Sequence, residues 1–363
     1  GAGRLPPGAA AGGRLVYTGV GGAGGATSTG EAGTEGATLP VLGPDELLRR
    51  VPDDRALEAA EEAFRLLARG EAVQPDPVGF EMLEADGEVH VKAAGAPGAG
   101  LFTVKVATVF KAAEAAGLPA MSGLVLAFDA ASGQPRALLL DHSRLTDLRT
   151  AAAGALALRL LAPGTFSTLL VVGTGVQARL QPRLMARVRR WSRTLVWGRD
   201  PGKAEACARD VAADLERAWG EPGGEVRPVD DLAGAAGEAE VVVTVTAARS
   251  PLLGAAWLRE GFTVVAVGSD GPRKQELEPG VLARADKVLT DRTAQCVRLG
   301  ELHHAVEAGL LTPDDVHAEL GEVLVGRRPG REGDESIVCD LTGVGIQDTT
   351  IARAALEGGP EEG

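Results

Sequence analysis

Leu169-Leu-Val-Val-Gly-Thr-Gly-Val-Gln-Ala178 is a wholly apolar run that breaks into two glycines one residue apart, with a small residue three positions further on. Four apolar residues without alternation predict a strand buried on both faces, as in a parallel sheet. Gly173 permits a tight turn, Gly175 lets backbone approach a pyrophosphate, and Ala178 allows close helix–strand packing. The helix opening at Val176 and Gln177 then offers free N–H groups and a positive dipole end to phosphate. A tight strand-to-helix turn with nothing bound has the same spelling, so the flanking pattern must decide. Pro182 predicts a kink in that helix.

Outward from this run the pattern is alternating. Thr194–Trp197, Glu240–Val245, Thr263–Val267 and Lys287–Leu289 are β-rich, with helical segments between several of them, which predicts βαβ units and a Rossmann lobe over residues 148–324. The second strand runs into Gly198-Arg199-Asp200, where an acidic residue reads the ribose hydroxyls. Asp200 favours NAD; Arg199 and Lys203 suit the 2′-phosphate of NADP, and all three also fit a solvated loop. The balance leans to NAD.

Before the Rossmann lobe the character differs. Helices are expected from about Gly43 and over Asp54–Arg69, then strands at Val89–Lys92, Phe102–Val106, Gly123–Phe128 and Arg136–Leu140, with a hairpin turn at Asp129–Gly133. The strands read as one sheet of an α+β region distinct from the βα alternation, and the Ala/Leu-rich helix Leu145–Leu161 leads from one to the other. Residues 1–42, dominated by Gly, Ala, Ser and Thr, read as a flexible tail.

Composition excludes several classes. The 363 residues carry a net charge of −13 with no basic run interleaved with aromatics, which argues against nucleic acid and acidic membranes. No apolar run reaches the roughly 18 residues of a membrane helix. The three cysteines fit neither a disulfide framework nor a Cys-x-x-Cys metal site, so a reducing cytoplasm is expected. His303, His304 and His317 do not spell a zinc helix, and no metal is expected.

Asp270, in Val267-Gly-Ser-Asp-Gly-Pro-Arg-Lys274, follows a buried strand at the edge where open α/β sheets bind ligands, though it also suits a turn cap. Lys105 sits among apolar residues in a strand, and Arg149 opens the helix between the lobes, where a guanidinium suits a carboxylate.

Taken in order, Phe102–Lys105, Ser122-Gly123, Leu145–Ala152, Gly173–Ala178, Gly268–Asp270 with Lys274, Gly300–Leu302 and Thr342–Asp348 resemble the ornithine cyclodeaminase/μ-crystallin family. The resemblance implies that Lys105 and Arg149 bind the α-carboxylate of an amino or imino acid and that Asp270 orients the nitrogen or a water and carries the proton. Gly173, Gly175, Val176, Gln177, Thr246, Val267, Gly268, Ser269 and Lys274 would line the cofactor. It also implies a homodimer, with residues 43–147, joined by 325–358, forming an α+β substrate and dimerisation lobe beside the Rossmann lobe. One departure matters: Lys92 stands near a position that is acidic in cyclodeaminases, and a further cation suits a second substrate carboxylate better than a terminal amine. That region is most similar to the branch of ectoine-utilisation proteins and iminosuccinate reductases. The expected activity is NAD(P)H-dependent reduction of an imino acid such as iminosuccinate. The alternatives are a cyclodeaminase that recycles its NAD and a non-catalytic NADPH-binding protein.

Overall fold

The computed structural model describes residues 13–17, 37–221 and 224–358. The first half supplies strands β1 (Gly13–Tyr17), β2 (Ala37–Leu42), β3 (Val78–Met82), β4 (Gly87–Ala96), β5 (Leu101–Phe110), β6 (Met121–Asp129) and β7 (Pro135–Leu139). They form one sheet in the order β1-β2-β7-β6-β5-β4-β3, antiparallel except where β2 runs alongside β7. The β6–β7 turn is set by Asp129, whose Oδ1 accepts the backbone N–H groups of Ala131 and Ser132.

The second half supplies β8 (Thr168–Val172), β9 (Arg193–Trp197), β10 (Glu225–Val229), β11 (Val241–Thr244), β12 (Arg249–Leu253), β13 (Thr263–Ala266), β14 (Gln275–Leu277), β15 (Lys287–Thr290), β16 (Ala318–Glu319) and β17 (Ile337–Asp340). Eight of these form an all-parallel sheet in the order β10-β9-β8-β11-β13-β17-β15-β16, and β12 pairs with β14 apart from it. The order doubles back between β8 and β11, the switch point of a Rossmann sheet. Every residue of β8, β11, β13 and β17 is buried, as strands covered by helices on both faces require.

Helix Arg144–Leu161 lies between the two sheets and is buried along most of its length, including Ala151, Ala152, Ala155, Leu156, Ala157 and Leu158. A helix that is apolar all round needs neighbours all round. It packs on Asp53–Arg69, Val176–Met185 and Gly345–Glu357. Alanines let it sit close. At Gly154 a Cβ would run into the side-chain amide of Gln181 on the neighbouring helix, which would have to move aside.

Two expectations need correction. Residues 1–12 and 18–36 lie outside the described residues, but Gly13–Tyr17 and Ala37–Leu42 are strands and not tail. Val41 and Leu42 pair with Leu138 and Leu139, and Leu42 enters the core. The short apolar run Leu39-Pro-Val-Leu42 finds a sheet edge that the glycine-rich average hides. Residues 325–358 are also not a single return to the first lobe. Strand β17 sits inside the parallel sheet between β13 and β15, and only helix Gly345–Glu357 packs on β4, β5 and β6. The buried run Ile337–Asp340 is apolar on both faces, which suits a sheet covered on both sides.

A lysine cluster facing a glycine cradle

Register in the parallel sheet sets the geometry of the site. Val172, Thr244 and Ala266 are aligned across β8, β11 and β13, Ala266 and Thr290 both align with Asp340, and Trp197 aligns with Val172. The segments that follow, around Gly173, Gly198, Thr246, Gly268, Asp291 and Thr342, therefore emerge along one carboxyl edge, the ligand-binding edge of such sheets.

At the head of this edge Gly173 adopts φ +134°, and a Cβ there would lie 2.9 Å from Val245 Cγ2. Gly175 caps helix Val176–Met185 in extended conformation, and a Cβ there would meet nothing within 4 Å. Free helix N–H groups and open space beside Gly175 suit a pyrophosphate. Val176 is exposed there, whereas Ala178 is fully buried against the sheet. The Gln177 amide is engaged elsewhere, donating to Asp147 O at 3.1 Å and Asp147 Oδ1 at 3.2 Å. Asp200 caps the next helix by accepting the Lys203 N–H, with Arg199 and Lys203 exposed beside it.

Glu276 gathers the strand ends. Its Oε1 accepts the Thr246 N–H at 2.5 Å, and its Oε2 accepts from Thr244 Oγ1 at 2.7 Å and Gly268 N at 2.9 Å. Full burial pushes this carboxyl up to about 7. Val267 is buried, and Ser269 is tied inward by donating to Lys274 O at 2.6 Å. Asp270 Oδ1 lies 2.5 Å from Lys274 Nζ, with the carboxylate about half exposed. Burial pushes the Asp270 carboxyl up, but the Lys274 ammonium, with Lys92 and His90 behind it, outweighs this and holds it below its ordinary range.

The first sheet contributes the cations. In the β4–β5 ladder Lys92 lies directly opposite Lys105, a like-charge pairing that costs stability unless something accepts both ammonium groups. Lys105 Nζ donates to Asp348 Oδ1 at 2.9 Å and Thr146 Oγ1 at 3.3 Å, and Lys92 Nζ donates to Gly343 O at 2.8 Å. Arg149 Nε reaches the same Asp348 Oδ1 at 3.1 Å from the interlobe helix. Asp348 Oδ2 is buried without a partner. Burial drives Lys105 down to about 8, offset in part by Asp348. Lys92 is lowered for the same reason, with Arg149 adding repulsion. Asp348 is pushed up by burial but held below its ordinary range by Lys105 and Arg149.

The turn that meets Lys92 is held from behind. Asp291 Oδ2 accepts the Gly343 N–H at 2.6 Å, Asp291 Oδ1 accepts from Thr342 Oγ1 at 3.0 Å, and Gln295 Nε2 donates to Gly343 O at 3.0 Å. Gly343 itself has φ +78°, and a Cβ there would lie 2.5 Å from Arg149 Nη1. On the other side His142 and Ser143, both with positive φ, lead from the buried Asp141 into the helix that bears Arg149. Consecutive left-handed residues without glycine store strain of the kind found at ligand sites.

Sequence reasoning thus singled out Lys92, Lys105, Arg149 and Asp270, and it missed Asp348, Asp291 and Glu276. Asp348 closes the Thr342–Asp348 motif, so its signal was present without a role. Asp291 and Glu276 act through backbone amides far away in sequence and carry no local signature.

Most of the chain resembles characterised and uncharacterised proteins alike. An uncharacterised cyclodeaminase of Sinorhizobium fredii is 42% identical over 323 residues, covering 88% of this chain and 96% of that protein. The iminosuccinate reductase of Paracoccus denitrificans in complex with NAD+ superposes with a TM-score of 0.80 at 32% identity, over 88% of this chain and 95% of that one. An archaeal alanine dehydrogenase dimer with bound NAD gives 0.79 at 32% identity, over 88% and 95%. A model of the ornithine cyclodeaminase/mu-crystallin family matches residues 47–359, and the chain belongs to that family.

Proposed function

We propose that this protein is an NAD(P)-dependent enzyme that reduces the C=N bond of an α-imino acid to the L-amino acid, with NAD favoured and a dicarboxylic substrate such as iminosuccinate. The observation that carries the reading is the cluster of three cations in which Lys105 and Arg149 share Asp348 Oδ1, while Lys92, directly opposite Lys105, rests on the Gly343 carbonyl. Asp348 is shared by two of these cations and Lys92 bonds a carbonyl, with Asp270 and Asp291 acting on it from further off, so the cluster keeps an excess of positive charge that suits substrate carboxylates. Burial pushes the neighbouring Asp141 carboxyl upward, toward its neutral form, so it offsets less of that excess.

The cradle from Gly173 to Gln177, with Thr246 and Val267 to Ser269 along the same edge, fits a dinucleotide, because backbone N–H groups and open space meet at Gly175. When bound, a nicotinamide supplies the hydride. In this reading Lys105 and Arg149, both buried, hold the α-carboxylate and the half-buried Lys92 holds the distal one. Asp270, kept ionised by Lys274, accepts a hydrogen bond from the protonated imine nitrogen and fixes its orientation. Similarity to a reductase of this substrate supports the choice.

A homodimer is part of the proposal. Edge strand β3 exposes Val78, Phe80 and Met82 at 61%, 52% and 48%, with Leu83 at 80% beyond it, an unprotected apolar edge of the kind a second chain covers. Among the described residues no helix is long and apolar enough to cross a membrane.

The test is a steady-state assay with NADH and NADPH against iminosuccinate formed from oxaloacetate and ammonia, with pyruvate plus ammonia and ornithine as comparisons. Oxidation of NADH dependent on the dicarboxylic imine is expected. Conversion of ornithine to proline without net change at the nicotinamide band would instead support the cyclodeaminase reading, and cofactor binding without any turnover would support a binding protein.

A further inference from the structure

On helix Glu301–Glu307, one ligand atom from each of His303, His304 and Glu307 lies within 4.8 Å of the others. From the sequence no metal is expected, because His-His-x-x-Glu is not a recognised zinc spelling. The tertiary contacts alter that judgement.

His303 Nδ1 faces the carbonyl of Val297 at 3.0 Å, and His304 Nε2 faces the carbonyl of Lys274 at 2.8 Å. A carbonyl can only accept, so each of these ring nitrogens carries the proton. In a neutral imidazole the other nitrogen is then a lone pair, Nε2 of His303 and Nδ1 of His304. Metal-binding histidines are oriented in this way, with the far N–H held by a backbone carbonyl. His303 Nε2 lies 3.5 Å from Glu307 Oε2 across an i,i+4 spacing. That separation is close to the edge of about 3.3 Å of a tetrahedron built on zinc–ligand bonds of roughly 2.0–2.1 Å. Glu307 is two-thirds exposed, and the histidines are half-buried.

We propose that His303, His304 and Glu307 form a binding site for a zinc-class divalent cation, held by two imidazoles and one carboxylate, with water completing the shell. Imidazole and carboxylate donors select such borderline ions over calcium or magnesium. The site borders the proposed substrate cleft. The Lys274 carbonyl that orients His304 also accepts from Ser269 Oγ, and the Lys274 ammonium pairs with Asp270. A bound ion would thus fix one anchor of the loop that presents Asp270.

The full chain, stripped with a chelator and dialysed, is titrated with zinc chloride by calorimetry and with cobalt chloride by visible absorption. One equivalent per chain and tetrahedral cobalt bands are expected. Glu307→Ala and His303→Gln should each weaken zinc binding at least about tenfold. Because Glu307 is exposed, its replacement leaves the fold and the metal-free activity intact. Absence of saturable binding, or one-equivalent binding indifferent to both substitutions, would overturn the proposal. Neither result depends on which imino acid the protein reduces.

Discussion

Lys105 and Asp348 meet at 2.9 Å in a buried ion pair whose partners lie 243 positions apart in sequence. Arg149 shares the same carboxylate oxygen, so Asp348 is the counter-ion for both. Removing it leaves two buried cations uncompensated, a change that typically costs about 3–5 kcal/mol. Asp348→Ala should therefore lower the urea midpoint of the protein strongly, and Asp348→Asn less so. A midpoint equal to wild type in both would show that the cluster is not held together by this carboxylate.

Lys105, driven down to about 8 by burial, implies a pH limit on activity. Its charged form binds carboxylate, so the protonated state is the active one, and loss of the proton as pH rises through that value weakens binding. The profile of kcat/KM should fall above pH 8, reporting the free enzyme. Lys105→Arg, which stays charged, should move that limb to higher pH or remove it, whatever it does to the maximum. A wild-type profile flat to pH 10 would argue that Lys105 does not bind substrate.

The glycine cradle has a specific weak point. Gly173→Ala must place a Cβ against Val245 at φ +134°, a strained conformation in any L residue. NADH binding, followed by nicotinamide fluorescence, should weaken by at least about tenfold, on the order of 1.4 kcal/mol. The far-ultraviolet dichroism should be retained. Gly175→Ala, where the Cβ meets only open space in the free protein, should fold normally and lose affinity only if phosphate occupies that space.

Buried acids also set a pH dependence of stability. Burial raises Glu301 to about 9, Glu276 to about 7 and Asp340 to about 7. Each is raised above its unfolded value, so between roughly pH 4.5 and these folded values the native state binds more protons than the unfolded chain. Stability therefore declines as pH rises through that window. The urea midpoint should be higher at pH 5.5 than at pH 8, and a midpoint that climbs over that interval would contradict the assignment of these groups as raised.

Several features were legible in the residues alone because their signals are local. The strand–glycine–helix unit at Leu169–Ala178 states its own conformation through apolar continuity and the absence of side chains where backbone must turn. The βα alternation after it follows from period and length. Lys105, Arg149 and Asp270 sit in stretches whose surroundings, respectively a strand, a helix start and a strand end, already mark them as unusual places for charge. Strand β2 was illegible for the opposite reason. Six residues next to a glycine-rich segment have too little pattern to signal a strand, and their partners, β1 on one side and β7 on the other, are found only in the folded chain.

By itself, then, the sequence determined the Rossmann unit, the identity of the principal charged residues and the family, because each is written within a few turns of chain. Tertiary structure decided what those charges do to one another. The opposition of Lys92 and Lys105 depends on strand register, their neutralisation on Asp348 and Gly343 returning from the far end of the chain, and the support of that turn on Asp291. Hydrophobic period and turn chemistry act over a few residues, whereas electrostatic compensation acts over a few ångströms, and only the folded chain converts one into the other.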